Sequence, residues 1–181
     1  HFTDRRQRQM CIRDSGRTLK QRYSGVADWD YITSVVDSVD VPVIANGDVV
    51  DADTARACLL QTHAAGLMIG RGAIGRPSVF GEIKVGLGWM ERDELPWIAN
   101  FEGNWDNLGY VEKQFATRRW CWNRYIELAR QTTGLDIKSM RGHAVSFTKG
   151  LPSAKKIRSI MHGKQSREEF AQATSEFLAT H

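Results

Sequence analysis

Two short apolar runs, each ending in a glycine-containing turn, limit what this chain can fold into. Residues 41–45 lead into Asn46-Gly47-Asp48, and residues 65–69 lead into Gly70-Arg71-Gly72. Apolar runs of this length are typical of buried strands and are too short for helices. Amphipathic helical patterns precede the first run and separate it from the second. The order helix, strand, helix, strand predicts a parallel α/β sheet.

The two turns together predict a binding site for a phosphate group. In parallel α/β folds the carboxyl ends of the strands meet at one edge, where backbone N–H groups and a helix N-terminus can hold an anion. Glycine allows the backbone to approach the phosphate closely, and Arg71 adds a charged donor. Either turn alone is more typical of an ordinary tight turn, whereas the pair at consecutive strands favours the phosphate site.

The composition excludes several classes of protein. Of the 181 residues, 41% are apolar and 25% are charged, which is typical of a soluble globular chain. No apolar run approaches the length of a membrane span. The three cysteines are widely spaced and form no C-x-x-C motif, so we expect no disulfide framework, no metal site and a reducing, cytoplasmic setting.

Residues 1–15 differ from the rest of the sequence. They contain arginines but no apolar core of a signal peptide, no initiating methionine and no clear periodicity. We interpret this segment as a non-native lead and leave it out of the predicted fold.

The second half of the chain predicts a different architecture. Residues 86–109 are interrupted by glycine, proline and asparagine and predict a linker whose aromatic side chains anchor it. Residues 110–181 contain four helical patterns, the last opening with a capping box at Ser166 and Glu169.

One stretch of this helical region is strongly basic. From 137 to 167 there are eight lysines or arginines and no aspartate or glutamate. Among them, Lys155, Lys156 and Arg158 are the candidate contacts to an RNA phosphate backbone. On composition alone, a solvated basic surface is an equal alternative.

Several motifs, taken in order, resemble the second half of tRNA-dihydrouridine synthases, nearest the bacterial B-type enzymes. The motifs are Gly16-Arg-Thr18, Tyr23-Ser-Gly-Val-Ala-Asp-Trp29, Val41-Pro-Val-Ile-Ala-Asn-Gly-Asp48, Gly66-Leu-Met-Ile-Gly-Arg-Gly-Ala-Ile-Gly-Arg-Pro77, Met140-Arg-Gly-His143 and Lys149-Gly-Leu-Pro-Ser-Ala-Lys-Lys-Ile-Arg158. The resemblance implies the C-terminal part of a (β/α)8 barrel followed by an all-α helical domain. Residues 16–85 would be the last βα units of an FMN-binding barrel, 86–109 the linker, and 110–181 a tRNA-binding domain.

The family's activity gives the site residues an expected role. Its members are flavin enzymes that reduce uridine in tRNA to 5,6-dihydrouridine, with NADPH as the source of electrons. Asn46, Gly47 and Asp48 match the first FMN-contacting turn, and Gly70 with Arg71 matches the second. The resemblance also favours tRNA contact over a solvated surface for the basic stretch. We expect the intact protein to be monomeric.

The sequence departs from the family pattern at one site position. Where the family has a histidine before Gly-Arg-Thr, this chain has Ser15. The family's catalytic cysteine and flavin-contacting lysine belong to the half of the barrel that this sequence lacks, and Cys11 does not replace them. We therefore assign no catalytic residue and expect the chain by itself to be inactive and to hold FMN poorly.

Two alternatives to this function remain at the level of sequence. One is another FMN- or phosphate-binding (β/α)8 oxidoreductase, against which the basic helical region argues. The other is a non-catalytic RNA-binding helical module.

Overall fold

The structure, a computed structural model, comprises two compact units. It describes residues 11–17, 20, 24–132, 137–161, 163–164 and 166–180, without the side chains of Ile137 and Arg158. The first unit contains residues 1–72 and 82–87, and the second contains residues 73–81 and 88–181. Each unit is described by itself below.

The first unit contains a parallel sheet of three strands in the described part of the chain. The strands are β1 (Ile12–Ser15), β2 (Val43–Asn46) and β3 (Gly66–Met68), in the spatial order β1-β2-β3. The register pairs Ser15 with Asn46, and Asn46 with Met68. The last residues of all three strands therefore lie in one row across the sheet. The two predicted strands are confirmed, with slightly different bounds.

The prediction that residues 1–15 lie outside the fold was wrong for residues 12–15. Ile12–Ser15 is a strand, and its edge is fixed by backbone bonds from Ile12 N–H to the Pro42 carbonyl at 2.9 Å and from Gly16 N–H to the Asn46 carbonyl at 3.2 Å. The segment escaped prediction because only its backbone is needed for pairing, and its side chains alternate between half-buried and exposed.

Two capped helices connect the strands. α1 (Trp29–Ser38) begins after Asp28, whose carboxylate accepts a hydrogen bond from Tyr31 N–H. α2 (Ala52–Thr62) begins after Asp51, which exchanges capping bonds with Thr54. Such caps satisfy backbone N–H groups that a helix start would otherwise leave without partners. They fix where each connection turns back onto the sheet.

Four further helices form the greater part of the second unit. They are α5 (Tyr110–Gln131), α6 (Ile137–Thr148), α7 (Ala154–Ile160) and α8 (Arg167–Leu178), which correspond to the four helical patterns in residues 110–181. Among the described residues, the largest fully buried side chain is that of Trp122, whose indole N–H donates to Ser175 Oγ at 3.2 Å. The predicted capping box of Ser166 and Glu169 is confirmed.

The segment predicted to be a linker contains packed structure. α3 (Val79–Gly86) precedes two 3₁₀ turns, Arg92–Glu94 and Trp105–Asn107, and the short helix α4 (Pro96–Ala99). Residues 88–109 belong to the second unit, and Trp97 and Trp105 are buried. The prediction that aromatic side chains anchor this segment therefore holds for these two, whereas Trp89 is exposed. The segment is packed and is not an open linker, because Trp97 and Trp105 bury their side chains in the second unit. The irregular sequence pattern gave no periodic signal of this burial.

Within the described part of the chain, the structure contains no helix long and apolar enough to cross a membrane.

The buried indole of Trp122 predicts a large effect on stability. We expect Trp122→Ala to lower the free energy of unfolding by about 3–5 kcal/mol, because it removes a large buried side chain and leaves a cavity. Equilibrium unfolding in urea measures this loss. Tyr110→Ala is the matched control, since Tyr110 lies on the same helix with 78% of its surface exposed. Equal losses for the two variants would contradict the packing described.

Candidate functional site

The predicted phosphate site lies at the carboxyl edge of the sheet. Ser15, Asn46 and Met68 end their strands in one row, so the segments that follow them all start at the same edge. These segments carry Arg17, Asp48 and Arg71. In parallel α/β folds this edge is where ligands bind. The structure thus brings both predicted turns to one place.

The carboxylate of Asp48 is the centre of this edge. Nη2 of Arg17 donates to both of its oxygens, at 2.6 and 2.7 Å, and the backbone N–H of Ala27 donates to Oδ2 at 2.7 Å. Arg17 Nη2 also donates to the Gly25 carbonyl at 2.7 Å. Asp48 therefore connects the segments that follow β1 and β2.

Arg71 extends the cluster to the segment after β3. Its Nη2 lies 3.6 Å from Asp48 Oδ1, and about half of its side chain is exposed. Two guanidinium groups against one carboxylate leave an excess of one positive charge. We call Arg17, Asp48 and Arg71 the arginine–aspartate cluster. It can attract an anion at the sheet edge.

Competing effects set the pKa of Asp48. Partial burial alone would raise the pKa of this carboxyl, but the hydrogen bond from Ala27 N–H, the hydrogen bond and charge of Arg17 and the charge of Arg71 together lower it below its usual value. The carboxylate is therefore ionised at neutral pH. It neutralises part of the charge that the two arginines bring.

The glycines of the predicted site have two different roles. A Cβ at Gly47, where φ is +144°, would stand 2.5 Å from Ala27 Cβ, and one at Gly72 would stand 2.9 Å from the Val49 carbonyl oxygen. These glycines allow segments of the protein to contact one another, a reason that the sequence did not reveal. At Gly70 the nearest atom of the described residues to such a Cβ is Met68 Sδ, at 4.0 Å. Among the described residues, nothing closer therefore prevents the close approach of a cofactor to Gly70.

Asp48 itself has an unusual backbone. Its φ of +57° is in the left-handed region, which aspartate and asparagine tolerate better than most residues. Beside it, Trp29 Nε1 donates to the Gly47 carbonyl at 3.1 Å. The turn is thus held by side chains of the segment that precedes it in the chain.

Arg17 is a site residue that was not predicted from the sequence. The residue stands in the Gly-Arg-Thr motif that carried the family resemblance, and this motif was the available signal. Arg17 Nε is buried without a hydrogen-bond partner among the described residues. An orphaned donor of this kind at an anion site is consistent with a ligand that would accept its hydrogen bond.

The predicted RNA-binding residues lie in the second unit. Lys155 and Lys156 are on α7 and both are exposed. The side chain of Arg158 lies outside the described residues. Lys138, Arg141 and Lys149 of the same basic stretch are also exposed.

The cysteines and other possible metal ligands form no centre in the described part of the chain. Cys11 is exposed, whereas Cys58 and Cys121 are buried. Burial raises the pKa of the Cys58 thiol, which is typical of a cysteine that packs in the core. Among the described residues there is no group of three or more histidine, cysteine, aspartate or glutamate side chains placed to hold a metal.

Comparisons with known proteins point to one family. A family model described as dihydrouridine synthase matches residues 15–180. A probable tRNA-dihydrouridine synthase of Rickettsia conorii is 34% identical over 147 residues, which are 81% of this chain and 40% of the relative. The probable tRNA-dihydrouridine synthase of Rhodobacter capsulatus is 48% identical over 86 residues, 48% of this chain and 26% of the relative. The tRNA-dihydrouridine synthase B of Yersinia pestis is 51% identical over 69 residues, 38% of this chain and 22% of the relative. The chain thus spans less than half the length of these curated relatives.

The Asp48 carboxylate predicts a pH-dependent contribution to stability. We expect Asp48→Asn to lower the free energy of unfolding by about 2 kcal/mol at neutral pH, because Arg17 loses its charged partner in a largely buried position. Since the folded-state pKa is lowered, this contribution is complete above about pH 5 and declines as the pH falls below about 4. Urea unfolding of both proteins between pH 3 and 7 measures the difference.

Asp37→Asn is the control for this measurement, because Asp37 is an exposed aspartate on α1. A difference between the wild type and Asp48→Asn that stays constant down to pH 3 would contradict the assignment.

Proposed function

The chain belongs to the dihydrouridine synthase family, and on this basis we propose that it serves the reduction of uridine to 5,6-dihydrouridine in tRNA, with bound FMN and with NADPH as electron donor. The observation that carries the proposal is the arginine–aspartate cluster at the carboxyl edge of the parallel sheet. It supplies an anion site where a flavin phosphate would be expected.

We propose that the first unit is the last part of a (β/α)8 barrel. The three described strands are parallel, and each pairs with the strand next to it in sequence. A barrel of this type requires that order. By the resemblance of their motifs, β1, β2 and β3 would be the sixth, seventh and eighth strands.

The residues at the sheet edge fit the phosphate end of FMN. Among the described residues, nothing prevents a close approach to Gly70, Arg71 is half exposed and Arg17 has a buried donor without a partner. Asn46 and Gly47 would complete the surroundings of the phosphate from the first turn.

The role that we propose for Asp48 is to hold the two arginines. Its carboxylate already accepts hydrogen bonds from Arg17 and Ala27, and as an anion it would repel a phosphate placed directly beside it. FMN, when bound, would supply the hydride-transfer chemistry, and these residues would fix where its phosphate lies.

The second unit is proposed to bind tRNA. Lys155 and Lys156 are exposed, and the stretch from 137 to 167 contains no acidic residue to offset them. Phosphate contacts of this kind give affinity that depends strongly on salt. Because tRNA is an intracellular substrate, we propose a cytoplasmic location. We also propose that the intact protein is a monomer.

The proposed activity can be tested directly. The gene product that carries this chain is incubated with FMN, NADPH and a tRNA transcript, and the nucleosides are analysed by mass spectrometry. We expect 5,6-dihydrouridine to form only when all three are present. Its absence from an FMN-loaded protein would overturn the proposal.

The phosphate site predicts the effect of removing Arg71. We expect Arg71→Ala in the same gene product to raise the dissociation constant for FMN about tenfold, because a charge-assisted hydrogen bond contributes about 1.5–3 kcal/mol. Quenching of flavin fluorescence on titration measures it. Arg130→Ala, which removes an arginine of α5 in the other unit, is the matched control. Unchanged FMN affinity in Arg71→Ala would exclude Arg71 from the site.

The basic stretch predicts a change in salt dependence. We expect the combined change Lys155→Ala, Lys156→Ala and Arg158→Ala to weaken tRNA binding and to reduce the slope of log affinity against log salt by about one for each phosphate that the variant no longer neutralises. Fluorescence anisotropy with labelled tRNA at several salt concentrations measures both quantities. Lys84→Ala, which removes an exposed lysine elsewhere, is the control. Equal affinity and slope in the triple variant would make the stretch a solvated surface.

A further inference from the structure

The turn after β2 receives a hydrogen bond from a side chain to which the proposed function gives no role. The half-buried indole of Trp29, the first residue of α1, donates from Nε1 to the carbonyl oxygen of Gly47 at 3.1 Å. This bond connects the start of α1 to the turn that contains Gly47 and Asp48. A partner on the Gly47 carbonyl fixes the plane of the peptide that joins these two residues, because the peptide unit is planar.

The direction of the Asp48 N–H group follows from that plane. The peptide between Gly47 and Asp48 is trans, so its C=O and N–H groups point in opposite directions. Because the Gly47 carbonyl points towards the indole of Trp29, the N–H of Asp48 points away from it. Among the described residues, none accepts a backbone hydrogen bond from this N–H. The group is therefore a donor that a ligand can use.

The segment that contains Trp29 covers one side of the turn. A Cβ at Gly47 would stand 2.5 Å from Ala27 Cβ, and the backbone N–H of Ala27 donates to Asp48 Oδ2 at 2.7 Å. The carboxylate of Asp48 and the carbonyl of Gly47 are thus both held towards this segment. An anion on the opposite side of the turn would face the N–H of Asp48 and lie away from its carboxylate.

The backbone conformation makes this orientation dependent on the indole. Asp48 has a φ of +57°, and the left-handed region is unfavourable for a residue that has a Cβ. Rotation of the connecting peptide by half a turn would bring φ of Asp48 to about −120°, within the broad β region. It would also reverse the directions of the C=O and N–H groups and break the bond from Trp29. The indole therefore opposes a change that the local backbone would otherwise favour.

We propose that Trp29 is a positioning residue of the anion site, whose indole holds the Gly47–Asp48 peptide so that the N–H of Asp48 donates to the bound phosphate. This inference rests on the proposed FMN site. To the charges of Arg17 and Arg71 it adds a backbone donor and the side chain that orients this donor. The phosphate group of the ligand, and not its ring system, depends on Trp29.

Two ligands that differ only in the phosphate test this role. FMN and riboflavin share the isoalloxazine ring and the ribityl chain, but riboflavin has no phosphate. In the gene product that carries this chain, freed of bound flavin, we expect Trp29→Phe to raise the dissociation constant for FMN about tenfold, the effect of losing one hydrogen bond to a charged group. The dissociation constant for riboflavin should stay unchanged. Quenching of flavin fluorescence on titration measures both constants.

Tyr31→Phe is the matched control, because it removes the hydroxyl of another aromatic side chain of α1, one that is 54% exposed. It should leave both dissociation constants unchanged.

A second measurement uses the wild type and does not depend on how the variant folds. On titration with inorganic phosphate, the amide proton resonance of Asp48 should move downfield in the NMR spectrum, because a charge-assisted hydrogen bond deshields the proton. In Trp29→Phe the same titration should move this resonance less.

The possible outcomes separate this inference from the proposed function. Equal affinities of the wild type for FMN and riboflavin would overturn the phosphate site and the role of Trp29 together. A wild type that prefers FMN, with an equal preference in Trp29→Phe, would overturn the role of Trp29 alone. Equal losses of affinity for both flavins would show that Trp29 only supports the fold. A resonance of the Asp48 amide that phosphate does not move would also overturn the inference.

Discussion

The ion pair between Arg17 and Asp48 is the contact on which the functional edge of the first unit depends. It joins the segment after β1 to the turn after β2, and the 3.6 Å approach of Arg71 brings in the segment after β3. Because the guanidinium of Arg17 is largely buried, the carboxylate is required to compensate its charge. The same carboxylate offsets one of the two positive charges within the arginine–aspartate cluster. The ion pair between Arg17 and Asp48 therefore determines both the geometry and the electrostatics of the site.

The sequence predicted those features of the fold that depend on local pattern. The strands at β2 and β3, the helical patterns before and between them and the capping box at Ser166 all follow from short-range rules, and all are present. β1 was missed because its pairing uses backbone groups that any sequence provides. From the sequence, Trp97 and Trp105 could be predicted only to anchor an irregular segment. The extent of their burial could not be predicted, since it depends on partners far away in the sequence.

The candidate site was predictable in position but not in its internal contacts. Both turns lie at one sheet edge, as the alternation of strands and helices indicated. That Asp48 binds Arg17 could not be derived from spacing, because the two residues are 31 positions apart in the chain. The glycines illustrate the same limit. Gly47 and Gly72 are explained by neighbouring protein atoms, whereas no atom of the described residues lies so close to Gly70, and sequence alone does not distinguish these cases.

The close approach of Gly47 to Ala27 also constrains how such a chain can diverge. Only 2.5 Å separates Ala27 Cβ from the place that a Cβ at position 47 would occupy. The space between the two positions therefore holds one Cβ atom and not two. A methyl group gained at one site leaves no room at the other, so the effect of a mutation at either position depends on the residue at its partner. The free-energy cost of a side chain at position 47 is therefore expected to depend on the residue at position 27, in addition to the cost that the φ of +144° imposes by itself.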